Sequence, residues 1–218
     1  MTESRPAFVF DAVVLAGGRA ARLGTPKPGV VVGGRPLLEH ALAATAGAGR
    51  TVVVGPDALA DPARYVLTRE DPPFGGPVAG IAAGLGALPG PDGGGAPWVL
   101  VLACDVPRAA EAVPALLAAA RDRADEVVVH AVRGGREQWL VGLYERAALQ
   151  DALAALPAVH GASVRRLLAG LPARAVPDED GATDDVDTWE DAREQDRRLG
   201  AGAVPEPDDT PDDSRRPR

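Results

Sequence analysis

The residues in this chain best suited to chemistry are two glycines, three spaced cations and one carboxylate. Gly17 and Gly18 follow the apolar run Ala12 to Leu15, and Arg19, Arg22 and Lys27 come soon after. Glycine has no Cβ to hold the backbone away from a phosphate, and it takes φ > 0 at no steric cost. Such a loop lays N–H groups and positive charge around an anion. Lys27 is the only lysine in the sequence, which also has no asparagine and a single isoleucine, Ile81. That composition points to a GC-rich coding background, in which a lysine surviving by accident would fall at this position about one time in two hundred. A compact, flexible ammonium is wanted there rather than a planar guanidinium. The carboxylate is Asp105 in Cys104-Asp105-Val106-Pro107, at the end of the apolar run Trp98 to Ala103. An aspartate at the open end of a buried strand can bind Mg²⁺, which takes oxygen ligands and shares its shell with phosphates and water. The other reading of Asp105 is a cap for a helix starting near Arg108. Cys104 reads as packing, and His40, His130 and His160 lack ligand spacing.

Spacing excludes two familiar phosphate loops. From Gly18 to Gly24 is one residue too long for the glycine interval of a Walker A loop, and Thr25 stands where its lysine belongs. Gly17-Gly18-Arg19 breaks the dinucleotide fingerprint G-x-G-x-x-G.

The elements that must position these residues alternate between strand and helix. Strands are predicted at 12–15, 51–54, 65–67, 98–103, 126–132, 138–144 and 173–176. Helices are predicted over 36–46, 78–88, 109–121, 145–156, 162–169 and 189–199. This alternation predicts an α/β fold with a mostly parallel sheet covered on both faces and ligands at the strand C-terminal ends. Pro89 to Pro97 reads as an exposed, mobile loop. Residues 7–199 form the expected single domain. Met1 to Pro6 reads as a loose terminus, and 200–218 as a disordered acidic, proline-rich tail with too little apolar surface to fold.

At 218 residues the chain suits one sizeable domain with at most a tail. Its formal net charge is -8, and the acids between Asp178 and Asp191 have no basic residue among them. That argues against a nucleic-acid groove and leaves a solvated face or part of a cation site. No apolar run is long enough to span a bilayer and the N-terminus is unlike a leader, so a cytoplasmic protein without a membrane partner is expected. With one cysteine, an intrachain disulfide is excluded.

The loop LAGGRAARLGTPK resembles the signature loop of nucleotidyltransferases of the glycosyltransferase-A-like fold. It is most similar to that of the molybdenum cofactor guanylyltransferases, roughly LAGG-x-x-x-R-[ML]-G followed by lysine. Three further segments match that family in order. Gly76-Pro77-Val78-Ala79-Gly80-Ile81 resembles G-P-[LV]-A-G-[IM], and Cys104 to Pro107 resembles C-D-x-P. Asp185-Val186-Asp187-Thr188-Trp189-Glu190-Asp191 resembles [DN]-[IV]-[DN]-T-P-E-D, with Trp189 at the proline. Gln138 to Tyr144 takes the place of a P-L-x-x-x-Y strand, with Trp139 at its proline.

The resemblance implies a three-layer Rossmann-like sheet with helices on both faces, as in nucleotide-diphospho-sugar transferases. The implied reaction is Mg²⁺-dependent transfer of GMP from GTP to molybdopterin phosphate with release of pyrophosphate. Catalytic roles then fall to Arg22, Lys27 and Asp105, with Asp105 as metal ligand and Asp187 as a second ligand or an acceptor-orienting group. Nucleotide contacts fall to Leu15, Ala16, Gly17, Gly18, Lys27, Asp71, Gly76, Pro77, Gly80 and Asp105, with Glu70 competing for the place of Asp71. Trp139, Tyr144, Asp185 and Asp187 lie on the implied acceptor side. Pro26-Lys27 is also similar to a pair in the cytidylyltransferases of isoprenoid synthesis. CTP with a pterin or a phosphorylated polyol therefore stays open, as does a nucleotide-binding homologue without turnover. A monomer or weak homo-oligomer is expected.

Overall fold

A computed structural model describes residues 8–18 and 23–200. The expectations for Met1 to Pro6, for Arg19 and Arg22, and for the tail from 201 to 218 lie outside the described residues. In chain order the strands are β1 (Phe10–Leu15), β2 (Val31–Val32), β3 (Arg35–Pro36), β4 (Thr51–Val54), β5 (Val66–Thr68), β6 (Trp98–Ala103), β7 (Val128–Arg133), β8 (Arg136–Glu145) and β9 (Ala173–Pro177). The helices are α1 (Leu37–Ala44), α2 (Pro77–Ala87), α3 (Ala109–Arg121), α4 (Arg146–Ala154), α5 (Val164–Leu167) and α6 (Trp189–Arg198).

Seven strands form one sheet in the order β5-β4-β1-β6-β8-β7-β9, while β2 and β3 make a separate antiparallel hairpin. β1 pairs in parallel with β4 and β6, so the C-terminal ends of the three strands share one edge. Only β8 runs antiparallel within the large sheet, between β6 and β7.

Alternation along the central strands explains the layers. Phe10 and Ala12 of β1 and Trp98, Leu100 and Leu102 of β6 pack with α3 on one face. Val13, Val99 and Val101 pack with α2, α4 and α5 on the other. α1 joins the first face through Leu38 and Ala41, which meet Val14 and Val53. A strand covered on both faces has to be apolar at nearly every position, as β1 and β6 are. α2 lies unusually close to β1, because a Cβ at Gly84 would clash with Val13 Cγ1 and one at Gly80 would come within 3.1 Å of Leu15 Cδ2. That approach brings the N-terminus of α2 to the open end of β1.

β6 and α3 fall on the expected residues. The β2–β3 hairpin was not anticipated, since two-residue strands carry no readable period. β8 starts at Arg136 rather than 138, because Gly134 and Gly135 both take positive φ and fold Arg133 back opposite Arg136. The register between β7 and β8 shifts after His130, leaving 139–141 without β7 partners. The loop from Pro89 to Pro97 also departs from expectation. Ala96 is buried, its N–H donates to Asp11 Oδ2 at 2.9 Å and its carbonyl accepts from Arg146 Nε at 2.7 Å.

Candidate active site

β1 and β6 lie side by side and release their chains at the same edge, which puts Gly17-Gly18 next to Asp105. The loop is tied at its root: the Cys104 N–H donates to the Leu15 carbonyl at 3.0 Å, and the Ala16 N–H to the Val54 carbonyl at 2.8 Å. These two groups of Leu15 and Ala16 are thus spent on holding the loop and are not open to a ligand. Gly18 takes φ +125°, a conformation L side chains rarely adopt. The chain re-enters the described residues at Leu23, which is buried and whose carbonyl accepts from Trp189 Nε1 at 3.2 Å. Lys27 then stands between Pro26 and Pro28 at the start of a single 3₁₀ turn, so its backbone has little freedom.

Lys27 Nζ donates to Asp105 Oδ2 at 2.6 Å and also to Asp187 Oδ1. Burial alone would lower the lysine pKa, but the hydrogen bonds and charges of Asp105 and Asp187 outweigh it and raise the pKa well above its ordinary value. Asp185 joins the group: ligand oxygens of Asp105, Asp185 and Asp187 all lie within 4.8 Å of one another. The Asp185 carboxyl is pushed above its usual range by burial and by the charges of Asp105 and Asp187. Three carboxylates this close repel unless a cation lies among them, and the lysine ammonium already occupies that role for two. The donor set is all oxygen, which suits a hard divalent cation such as Mg²⁺.

The segment carrying Asp185 and Asp187 is set by its neighbours. The Val186 N–H donates to the Asp105 carbonyl at 2.9 Å, which joins the two aspartate segments directly. Thr188 and Asp191 form a reciprocal capping box at the start of α6. The acidic run therefore divides. Asp184 pairs with Arg133 and Arg198, and Asp178 accepts from the backbone of Ala182 and Thr183, while Asp185 and Asp187 turn toward Asp105. Beside the carboxylates opens a cavity of about 580 Å³, lined among others by Leu15, Gly17, Gly18, Lys27, Pro77 and Asp105. It offers apolar wall for a flat group, and one cation among the described residues, Lys27, with the carboxylates of Glu70 and Asp105 for a polar end.

Residues 12–177 match the MobA-like NTP transferase domain model, about three quarters of the chain. The chain belongs to the MobA-like NTP transferase domain family. It is 35% identical over 132 residues to a molybdenum cofactor guanylyltransferase of Rhizobium johnstonii, a match covering 61% of each chain. Its structure is similar to that of molybdopterin-guanine dinucleotide biosynthesis protein A from Archaeoglobus fulgidus, with TM-score 0.63 and 21% identity over 87% of this chain and 98% of that one. It is similar also to 2-C-methyl-D-erythritol 4-phosphate cytidylyltransferase from Thermus thermophilus, with TM-score 0.64 and 21% identity over 88% and 98% of the two chains. The three-layer fold is therefore that of the nucleotide-diphospho-sugar transferases.

Within this MobA-like domain the sequence expectations separate. Gly76, Pro77 and Gly80 line the cavity with Leu15, Gly17, Gly18, Lys27 and Asp105, whereas Ala16 lines a second hollow on the other side of the glycines. Asp71 is exposed and does not line the cavity; Glu70 does, and its Oε1 accepts from the Phe74 N–H at 2.9 Å. The spacer before Gly76 turns the earlier of the two acids inward. Tyr144 is corrected as an acceptor-side residue: it is 1% exposed, its hydroxyl donates to the Trp139 carbonyl, and burial pushes its pKa up. Trp139 packs its ring on His130 with centroids 4.0 Å apart and does not line the cavity, which receives Leu140 instead. The three-residue register shift in β8 delivers Leu140 to this edge. Asp185, expected near the acceptor, and Asp187, expected there or as a second metal ligand, both stand with Asp105. Cys104 is buried and its thiol pKa is pushed up, as packing requires. Among the described residues no helix is long and apolar enough to cross a membrane.

Proposed function

We propose that the chain is a Mg²⁺-dependent nucleotidyltransferase that moves GMP from GTP to the phosphate of molybdopterin. The observation carrying this reading is the meeting of Lys27, Asp105 and Asp187 at the mouth of a cavity lined by Gly17 and Gly18, in a chain of this family. An acceptor phosphate oxygen attacks the α-phosphorus of GTP in line, the bond from that phosphorus to the bridging oxygen breaks, and its electron pair leaves on pyrophosphate. A phosphate nucleophile is already ionised at neutral pH, so the protein needs positioning and charge neutralisation rather than a strong base. Asp105 and Asp187 would hold the metal, with Asp185 beside them, and Mg²⁺ held there would supply charge neutralisation and polarisation of phosphoryl oxygens. Lys27 passes from the carboxylates to the triphosphate, supported by Arg22. Gly17 and Gly18 admit the phosphates, Pro77 and Gly80 lie along the nucleoside, and Glu70 accepts from the base. Residues 7–199 form the catalytic domain and 200–218 an appendage to it.

Calorimetry with GTP, CTP, ATP and UTP in Mg²⁺, followed by turnover with molybdopterin, tests this. GTP preference with pyrophosphate release is the expected result. CTP preference would replace the base, and no binding of any nucleotide by folded protein would overturn the reading.

A further inference from the structure

Phe74 is exposed where exposure is least rewarded. Just over half of the residue is open to solvent, at 53%, and its backbone sits at φ +65°. That left-handed region is an outlier for a bulky side chain, whereas glycine or asparagine would meet it with little strain. Neither turn chemistry nor core packing asks for phenylalanine here.

The surrounding loop nevertheless fixes the ring. The Phe74 N–H is held by Glu70 Oε1 at 2.9 Å, and the Arg69 guanidinium carbon lies 5.5 Å from the ring centroid. Behind it the Gly75 carbonyl accepts from the Gly161 N–H at 2.8 Å, and a Cβ at Gly75 would stand 2.7 Å from Ala79 Cβ. The residue held this way lines both the 580 Å³ cavity and the neighbouring hollow. A strained residue kept in place by its neighbours at a cavity rim is a mark of ligand contact rather than of folding.

We propose that Phe74 is the stacking platform for the nucleobase, closing a cavity whose apolar lining includes Leu15, Val54 and Pro77. The proposal rests on the nucleotidyltransferase reading and adds to it the residue that grips the base. Stacking is sequence-tolerant but grows with the overlapping area, so the ring favours a purine over a pyrimidine and leaves guanine against adenine to polar groups.

The test is calorimetry of wild type, Phe74→Gly, Phe74→Asn and Phe74→Tyr with GTP, CTP and inorganic tripolyphosphate, alongside thermal unfolding. Loss of the ring should weaken GTP binding about tenfold or more, weaken CTP less, and leave tripolyphosphate within about twofold. The glycine and asparagine variants should melt no lower than wild type because they relieve the strained φ, and the tyrosine variant should bind like wild type. Unchanged GTP affinity in both ring-less variants would overturn the proposal. So would a parallel loss of tripolyphosphate, which would make Phe74 a residue of loop shape. Absence of any nucleotide binding by wild type would instead overturn the reading on which it rests.

Discussion

The two ends of the central strands each hold a carboxylate against a cation at the same separation, and they serve opposite purposes. At the N-terminal end Asp11 accepts from Arg146 Nη2 at 2.6 Å, with side chains 1% and 2% exposed. The guanidinium is also held by the Ala96 carbonyl, and the aspartate by the Ala96 N–H. At the C-terminal end Asp105 accepts from Lys27 at 2.6 Å, with side chains 18% and 22% exposed and two further aspartates nearby. A planar, multiply bonded guanidinium sealed from water cannot let go without leaving a buried charge. A lysine on a flexible stem among surplus carboxylates can exchange them for phosphate. The first pair locks strands; the second, under the proposed function, is the one that rearranges.

The largest expected effect lies at the sealed end. Asp11→Ala leaves the Arg146 guanidinium buried and unpaired and should cost about 3–5 kcal/mol of stability in a denaturant titration. An unchanged midpoint would break the contrast. At the open end Asp105→Asn should reduce turnover by roughly 100-fold or more while shifting the melting temperature by only a few degrees. Stripping divalent cations with a chelator should do the same reversibly, with turnover restored by Mg²⁺ and unfolding unaffected; a large drop in melting temperature would make the open end structural as well.

An intermediate case sharpens the line. Burial of Asp178 raises its pKa, but hydrogen bonds from the Thr183 hydroxyl and from the Thr183 and Ala182 amides, with the charge of Arg133, lower it on balance. A carboxyl with a depressed folded pKa stabilises the protein above its ordinary value of 3.8, and that contribution is lost as pH falls through the folded value. Asp178→Asn should therefore melt below wild type at neutral pH, with the gap closing under acid; a gap independent of pH would trace the loss to shape rather than charge. The smallest effect is expected from ending the chain at Gly200, which should leave turnover within about twofold, since the sequence beyond it has almost no large apolar residue.

Sequence made the open end far more legible than the sealed one. Lys27 and Asp105 announce themselves by rarity and by position after an apolar strand, because a site at a strand end needs side chains that the core does not. Asp11 and Arg146 lie 135 positions apart within apolar and helical patterns. Nothing local marks them as partners, since their pairing is set by the tertiary path of α4. The grouping of Asp185 with Asp105 was missed for the same reason: the Val186-to-Asp105 backbone bond that joins the segments is long-range. Tyr144 was misplaced because a tyrosine on a strand reads alike on either face until register is known, and Trp139 because the register shift after His130 has no sequence signal. The inward turn of Glu70 rather than Asp71 depends on the rare backbone of Phe74, which propensity does not anticipate.

The hairpin of β7 and β8 runs on past β6, for β8 leaves β6 at Val141 and its first five residues lie beyond that pairing, while β9 stays with β7 as far as Val132. Residues added at Gly134-Gly135 would extend this arm into solvent, at a closure cost that grows only with the logarithm of length. The core strands would not feel the change. The hairpin is thus a place where length can change beside the cavity, which Leu140 lines, without re-solving the problem of folding.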